Sequence, residues 1–458
     1  MIDSRLHCPG CPAGAATALQ PAKGGGHYCP GCDEHYPTFK VGNAALHWCY
    51  PHPQHSQQRW LFETRRTLDE LARQQRELKH RNGCGGLTAL NRIRLARAMR
   101  GTQVQRDTLT ELLAPLGLTG SLPESPVVGS MRLPQLQSYR ANPFRDWGWD
   151  TPETEQMCDA VLEVLRAATN ELPQRLLTLG AGAGRLSYDL HHALGLTRST
   201  LLDLNPKLLG IAGRVISGQP LTLAEFPVAP VNLESACVVR ELKLAERQPA
   251  LHEEMDFVLG DALEAPFADG SCEAVLTPWL IDIVPTPLPR LLGSINRLLP
   301  IGGLWLNTGS LAFGHGDALA DDLSFEEVAT LIEQSGFRLL EVRRRTLPYL
   351  QSPASAHRRS ELVTTFCAVK KRAPPEQLGM SEEPGAAAAQ HRAPDAVVSR
   401  APRQEALAAH HLLRAQVLAA VDGNRTAEQL AVLLSNRYQL DPVNALSTVN
   451  EILREADL

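Results

Sequence analysis

Leu176-Leu177-Thr178-Leu179-Gly180-Ala181-Gly182-Ala183-Gly184-Arg185-Leu186 is the stretch that decides the fold of this chain. An apolar run breaks into glycines and then opens a helix. Glycines let the backbone pass close to a nucleotide-like ligand, and a helix start offers free N–H groups. The next apolar run, Ser199-Thr200-Leu201-Leu202-Asp203, ends in a carboxylate. At about 20 residues beyond the loop, an acid is placed to grip a ribose diol. Taken alone, the glycines could form a tight structural turn and Asp203 a helix cap.

The flanking sequence resolves that choice. Further strands are expected at 256–259, 273–277 and 304–307, with two late ones at 338–344 and 363–370. Helices are expected at 289–299 and at 325–335, the latter capped by Ser324. Strands alternating with amphipathic helices make a parallel α/β sheet. Such sheets bind ligands outside the carboxyl ends of their strands, where strand order reverses. Gly180, Asp203, Asp261 and Thr277 all lie at those ends and converge on one site.

This order resembles the class I S-adenosylmethionine-dependent methyltransferases. The loop is Gly-x-Gly-x-Gly, Gly260-Asp261-Ala262 leads into Pro266-Phe267-Ala268-Asp269-Gly270-Ser271, and Leu298–Trp305 looks like the turn before the fifth strand. Within that class, the region of about 135–370 resembles the carnosine N-methyltransferase-like family. The matching segments are Arg145-Asp146-Trp147, Leu179–Leu186, Trp279-Leu280-Ile281-Asp282 and Gly302–Leu311. The resemblance implies a Rossmann-like core that takes S-adenosylmethionine. It places Asn142 and Arg145 at the cofactor's carboxylate, with Gly180, Gly182, Gly184, Asp203, Asp261, Ala262 and the backbone near Pro278 along the rest of it. It makes Asp282 the carboxylate that holds an acceptor imidazole, with His315 and Tyr349 as substrate contacts. The family's Asp-Thr-Ala-His-Asn is Asp282-Ile283-Val284-Pro285-Thr286 here, so the acceptor itself stays open.

Cys8-Pro9-Gly10-Cys11 and Cys29-Pro30-Gly31-Cys32 are two Cys-x2-Cys pairs, separated by the stretch 12–28. Two such knuckles can set four thiolates around one zinc ion, a closed and therefore structural site. The segment resembles a zinc ribbon of the small activator type that partners some methyltransferases. His47, Cys49, His52 and His55 could hold a second metal or be no ligands at all.

The chain has 458 residues, 43% apolar and 21% charged, with a net charge of -5, as for a soluble globular protein. That charge gives no ground for a generally basic nucleic-acid binder, and no run is long enough for a membrane span. A cytoplasmic, reducing setting is expected. The domains read as a zinc ribbon (1–55), a helical segment (56–134), the methyltransferase domain (135–371), a Pro- and Ala-rich disordered linker (372–403) and a small helical unit (404–458). The last, with Thr426 as a helix cap, resembles winged-helix units, including the PqqD-like peptide chaperones, and is a candidate docking site for a peptide or protein partner. Three functions are carried forward. The first is N-methylation of an imidazole- or amine-bearing small molecule or peptide. The second keeps the cofactor but takes a protein or ribosomal-peptide acceptor recruited by the terminal domains. The third is a non-catalytic, cofactor-sensing regulator.

Overall fold

The structure, a computed structural model, describes residues 6–11, 17–23, 25–121, 135–136, 138–245, 248–313 and 322–374, with isolated positions at 426, 429–432 and 449. The chain divides into two units, Met1–Met380 and Ser381–Leu458. In the first, three short strands form an antiparallel sheet: β1 (Gln20–Pro21), β2 (His27–Tyr28) and β3 (His35–Tyr36). The hairpin β4 (Thr38–Val41) and β5 (Ala44–Trp48) follows, then the long helices α1 (Pro53–Gly83) and α2 (Ala89–Leu113). Next come α3 (Asn142–Trp147), α4 (Glu153–Ala168), β6 (Arg175–Leu179), α5 (Arg185–Leu194), β7 (Arg198–Asp203) and α6 (Pro206–Ile216). A hairpin, β8 (Leu221–Glu225) and β9 (Val238–Leu242), precedes β10 (Met255–Leu259) and β11 (Ala274–Pro278). The unit closes with α7 (Leu288–Leu298), β12 (Leu304–Gly309), α8 (Phe325–Gln334), β13 (Phe337–Pro348) and β14 (Ser360–Lys370).

Nine strands form one sheet in the order β13-β14-β12-β11-β6-β7-β10-β5-β4. Strands β12, β11, β6, β7 and β10 run parallel, and β14 and β13 close one side antiparallel. Strand order reverses between β6 and β11, the crevice where open α/β sheets take ligands. Helices cover both faces, so the central strands read as continuous apolar runs; every residue of β10 is buried. One face packs Leu177, Val275, Trp305 and Phe366 against α7 and α8. Another packs Trp48, Trp60, Leu201 and Phe257 against α6 and α2. The expected Ser324 cap is present, as a full capping box with Glu327.

The cysteine-bearing segment does not stand apart as the separate domain that the sequence suggests. Strand β5 pairs in parallel with β10, Phe257 opposite Leu46, and so lengthens the main sheet. Leu6 also bridges to Phe267, and His7 N–H donates to the Pro266 carbonyl at 2.9 Å. Trp48, Tyr50 and Trp60 are buried in the main core, so this segment has no independent one. The β8–β9 hairpin is a second departure: its strands are too short for their alternation to stand out.

In the second unit the Thr426 cap is in place. Its Oγ1 accepts from the Gln429 N–H at 3.3 Å, and the Gln429 side chain accepts from the Thr426 N–H at 3.0 Å. The rest of the expected winged-helix-like unit, most of the linker, and His315 lie outside the described residues. No helix among those described is long and apolar enough to cross a membrane.

Candidate cofactor and acceptor site

Gly180, Gly182 and Gly184 have φ of +71°, +59° and +88°, values that a side chain would strain. A Cβ at Gly180 would come 2.9 Å from Leu280, and one at Gly184 2.9 Å from Leu201. The loop hangs from β7 through Gly180 and Ala181 N–H bonds to the Leu202 carbonyl, 2.9 and 3.0 Å. Asp203 sits beneath it. Its Oδ2 accepts from Gly182 N–H and its Oδ1 from Asn205 N–H, both at 2.7 Å. Burial pushes this carboxyl up to about 6, against the pull of those backbone donors. Each oxygen keeps a lone pair for a hydroxyl donor.

One strand over, Asp261 starts the turn Ala262–Glu264, its Oδ1 accepting from Leu263 N–H at 2.9 Å. Burial raises this carboxyl too, with Arg290 opposing. Between the two acids lies a residue missed in the sequence. Tyr50 donates to the Leu204 carbonyl at 2.5 Å and accepts from the Trp60 indole at 3.0 Å. Cys49 N–H reaches the Leu259 carbonyl at 2.7 Å. Only the parallel docking of β5 brings Tyr50 here, and no local pattern announces it.

Helix α3 closes the glycine side. The Trp147 indole donates to the Ala183 carbonyl at 2.7 Å, and Arg185 lies 5.3 Å over the Trp147 ring. Arg145 is buried and ion-paired, its Nε bonded to Asp146 at 2.7 Å. Asn142 Oδ1 is buried without a hydrogen-bond partner.

Past β11, Pro278 leads into Trp279, whose φ is +52°. Asp282 is buried, and its Oδ2 accepts from Ala312 N–H at 2.8 Å. Tyr349 packs with its ring centroid 4.4 Å from that of Trp279 and with Arg359 4.4 Å over its ring. Burial raises the Tyr349 phenol, with Arg145 pulling it down and Asp282 pushing it up. Burial raises the Tyr139 phenol, also unmarked in the sequence, and Asp203, Tyr349 and Asp282 push it the same way. Tyr139, Trp279, Leu311 and Leu350 are non-glycine residues at positive φ, as are Asp33 and Ala229 elsewhere; Leu311 and Leu350 adjoin Ala312 and Tyr349 in the chain. Such strain clusters where the fold holds a site in place.

The four expected ligand cysteines meet. The sulfurs of Cys8, Cys11, Cys29 and Cys32 lie within 4.8 Å of one another, with Cys8–Cys32 and Cys11–Cys29 at 3.6 Å. A tetrahedron with zinc–sulfur bonds of about 2.3 Å has edges of about 3.8 Å, so the set fits that ion. His47, Cys49, His52 and His55 join no such group among the described residues.

Comparison with known proteins adds one family. The family model described as Carnosine N-methyltransferase matches residues 227–372, which include Asp261, Asp282 and Tyr349. No curated protein matches the chain. Among solved structures, Haemonchus contortus phosphoethanolamine N-methyltransferase 2 in complex with S-adenosyl-L-methionine is 17% identical, with 47% of this chain and 53% of that one covered and a TM-score of 0.30. The chain thus spans about half the length of that enzyme. A Thermotoga maritima SAM-dependent methyltransferase is 17% identical over 52% of this chain and 99% of its own, TM-score 0.29. The YcgJ protein from Bacillus subtilis is 11% identical over 47% and 99%, TM-score 0.32. Overlaps this slight say nothing about substrate. The family match spans β9 to β14 of this chain, the half of the sheet that follows the glycine loop and Asp203.

Proposed function

We propose that this chain transfers the methyl group of S-adenosylmethionine to a nitrogen of an imidazole- or amine-bearing small molecule or peptide. The observation that carries the reading is Asp282. It is buried at the rim of the same crevice as Asp203, with one oxygen held by Ala312 N–H and no hydrogen-bond partner on the other among the described residues. A carboxylate so placed can accept a ring N–H.

The cofactor's parts find matching groups. Asp203 would take both ribose hydroxyls, and Asp261 with the Ala262 N–H the adenine side. Gly180, Gly182, Gly184 and the backbone at Pro278 would line the middle. The orphan acceptor Asn142 Oδ1 suits an ammonium, and Arg145 a carboxylate. When bound, the cofactor supplies a methyl group on a sulfonium, already a strong electrophile. The protein's work is placement, which can supply up to about 7–11 kcal/mol. Asp282 bonds one ring N–H, fixes the tautomer, aims the other nitrogen's lone pair at the methyl carbon, and stabilises the cation that forms. One N–C bond forms as the S–C bond breaks, and the ring proton stays on the Asp282 side until release. Tyr349 and Trp279 wall the acceptor, and His315 is kept as a candidate contact. The cysteine set would hold a structural zinc ion, and the C-terminal unit a peptide or protein partner.

Calorimetry with S-adenosylmethionine, followed by transfer of labelled methyl to imidazole-bearing dipeptides, tests the reading. Asp282→Asn should leave cofactor affinity within about twofold and cut turnover by roughly 10²-fold or more. Full turnover in that variant removes Asp282 from the mechanism.

A further inference from the structure

Residues 226–231, Phe-Pro-Val-Ala-Pro-Val, turn β8 toward β9 and present apolar side chains to water. Phe226 is 46% exposed, Val228 71% and Val231 50%, and Val239 on β9 adds to them at 39%. Singly exposed apolar residues are ordinary, but a contiguous group is not. Nor is this a slack loop. Val231 N–H donates to the Ala354 carbonyl at 3.1 Å, and Ala356 N–H to the Ala229 carbonyl at 2.8 Å. Pro230 pairs with Ser355 in an antiparallel bridge, and the Ser355 hydroxyl donates to the Val228 carbonyl. Ser352 donates to Glu225, which also binds Arg240. The apolar side chains are therefore held out on a fixed backbone, which lowers the entropic cost of docking.

Two arginines border this apolar group. Helix α2 presses on the platform so closely that a Cβ on Gly101 would lie 3.0 Å from the Phe226 ring and 2.1 Å from Cys237 Sγ. Arg97, one turn before Gly101, and Arg100, next to it in the chain, both act on the Cys237 thiol. Arg97 has its ion-pair partner Glu234 at 4.0 Å, and Arg100 makes no ion pair among the described residues. An apolar centre with an arginine rim fits an acidic, apolar polypeptide. A phosphate backbone would gain nothing from the valines, and a second copy on a two-fold axis would set the same cations against themselves.

The strap that holds the platform is also the wall of the acceptor pocket. Residues 352–356 follow directly on Tyr349 and on Leu350, whose N–H donates to Glu153 at 2.9 Å. The chain from Tyr349 to Ser355 can reach roughly 20 Å at most. We propose that the platform docks an acidic, apolar stretch of a polypeptide, no more than about six positions along its chain from the nitrogen that enters the Asp282 pocket. This rests on the nitrogen-methylation reading and narrows its substrate class to a polypeptide.

The probe is a fluorescein-labelled synthetic peptide of alternating Glu and Leu with one His placed about six positions downstream, read by anisotropy against the full chain. Controls replace Glu by Lys or Leu by Ser. Val228→Asp with Val231→Asp, and separately Arg97→Glu with Arg100→Glu, should each weaken binding at least tenfold. Cofactor affinity and turnover of a free imidazole dipeptide should stay within twofold. Equal binding by the variants, by the Lys peptide, or by a competing oligonucleotide of the same charge overturns the proposal. So does a concentration-dependent dimer of the wild-type chain that the variants abolish. Tight, variant-sensitive peptide binding without methyl transfer to any imidazole sustains the docking surface and counts against nitrogen methylation.

Discussion

Asp203 shows what a buried carboxylate costs the protein that carries it. Burial holds its carboxyl up to about 6, so between roughly pH 4 and 6 the folded chain binds more protons than the unfolded chain. Its contribution to stability is full at the acid end and is lost as pH rises through about 6, an effect of up to about 3 kcal/mol in the empty protein. In the proposed role, ribose hydroxyls would donate to the ionised form, so cofactor affinity should have the opposite sense. The dissociation constant should rise about tenfold per pH unit below pH 6, measured by calorimetry across pH 5 to 8. A flat profile would remove Asp203 from the ribose. Asp203→Asn should weaken cofactor binding by about tenfold or more, while its thermal midpoint at pH 7 does not fall. Asp203 was legible because a carboxylate ending the strand after a glycine loop is a pattern in the chain itself. Tyr50 and Tyr139 were not, because neither has a sequence neighbour that shares its task.

At the scale of elements, the site is assembled by contacts between segments far apart in sequence. Helix α3 reaches the glycine loop through one indole hydrogen bond, and β5 reaches the turn after Asp203 through Tyr50. In Tyr50→Phe the ring stays but the hydroxyl goes. That leaves the Trp60 N–H and the Leu204 carbonyl unmatched, a cost of about 1–3 kcal/mol in denaturant unfolding. Cofactor affinity should fall severalfold with little change in kcat, since Leu204 adjoins Asp203 and not the acceptor. An unchanged affinity would mean that the turn holds its shape without the tyrosine. Strands β6, β7, β10, β11 and β12 were readable because each is a buried apolar run ended by glycine or an acid, or set between turn signals. The pairing of β5 with β10 was not, since parallel register depends on a partner far along the chain, Leu46 on Phe257.

For the molecule as a whole, the cysteine module and the α/β sheet share strands and cores. Its first knuckle packs with Ala262, Ala265 and Phe267 of the turn after β10. Elemental analysis should find close to one zinc ion per chain. Chelation should lower the midpoint of one cooperative transition for the unit that ends at Met380, with cofactor affinity falling alongside. A separate low-temperature transition would instead make the module independent. A truncated chain that starts at Pro53 should be prone to aggregate in light scattering, because it bares the edge of β10, every residue of which is buried. The sequence by itself determined whatever is local: the alternation of strands and helices, the glycine cradle, the Asp203 carboxylate and the spacing of four thiolates. These depend on backbone sterics and on periodicity within a few turns of chain. Only the tertiary structure decided that the cysteine module lengthens the main sheet, that Tyr50 and Tyr139 join the crevice, and that an apolar loop stands rigid beside it. Those depend on which surfaces bury each other, and burial is a property of the whole packed chain.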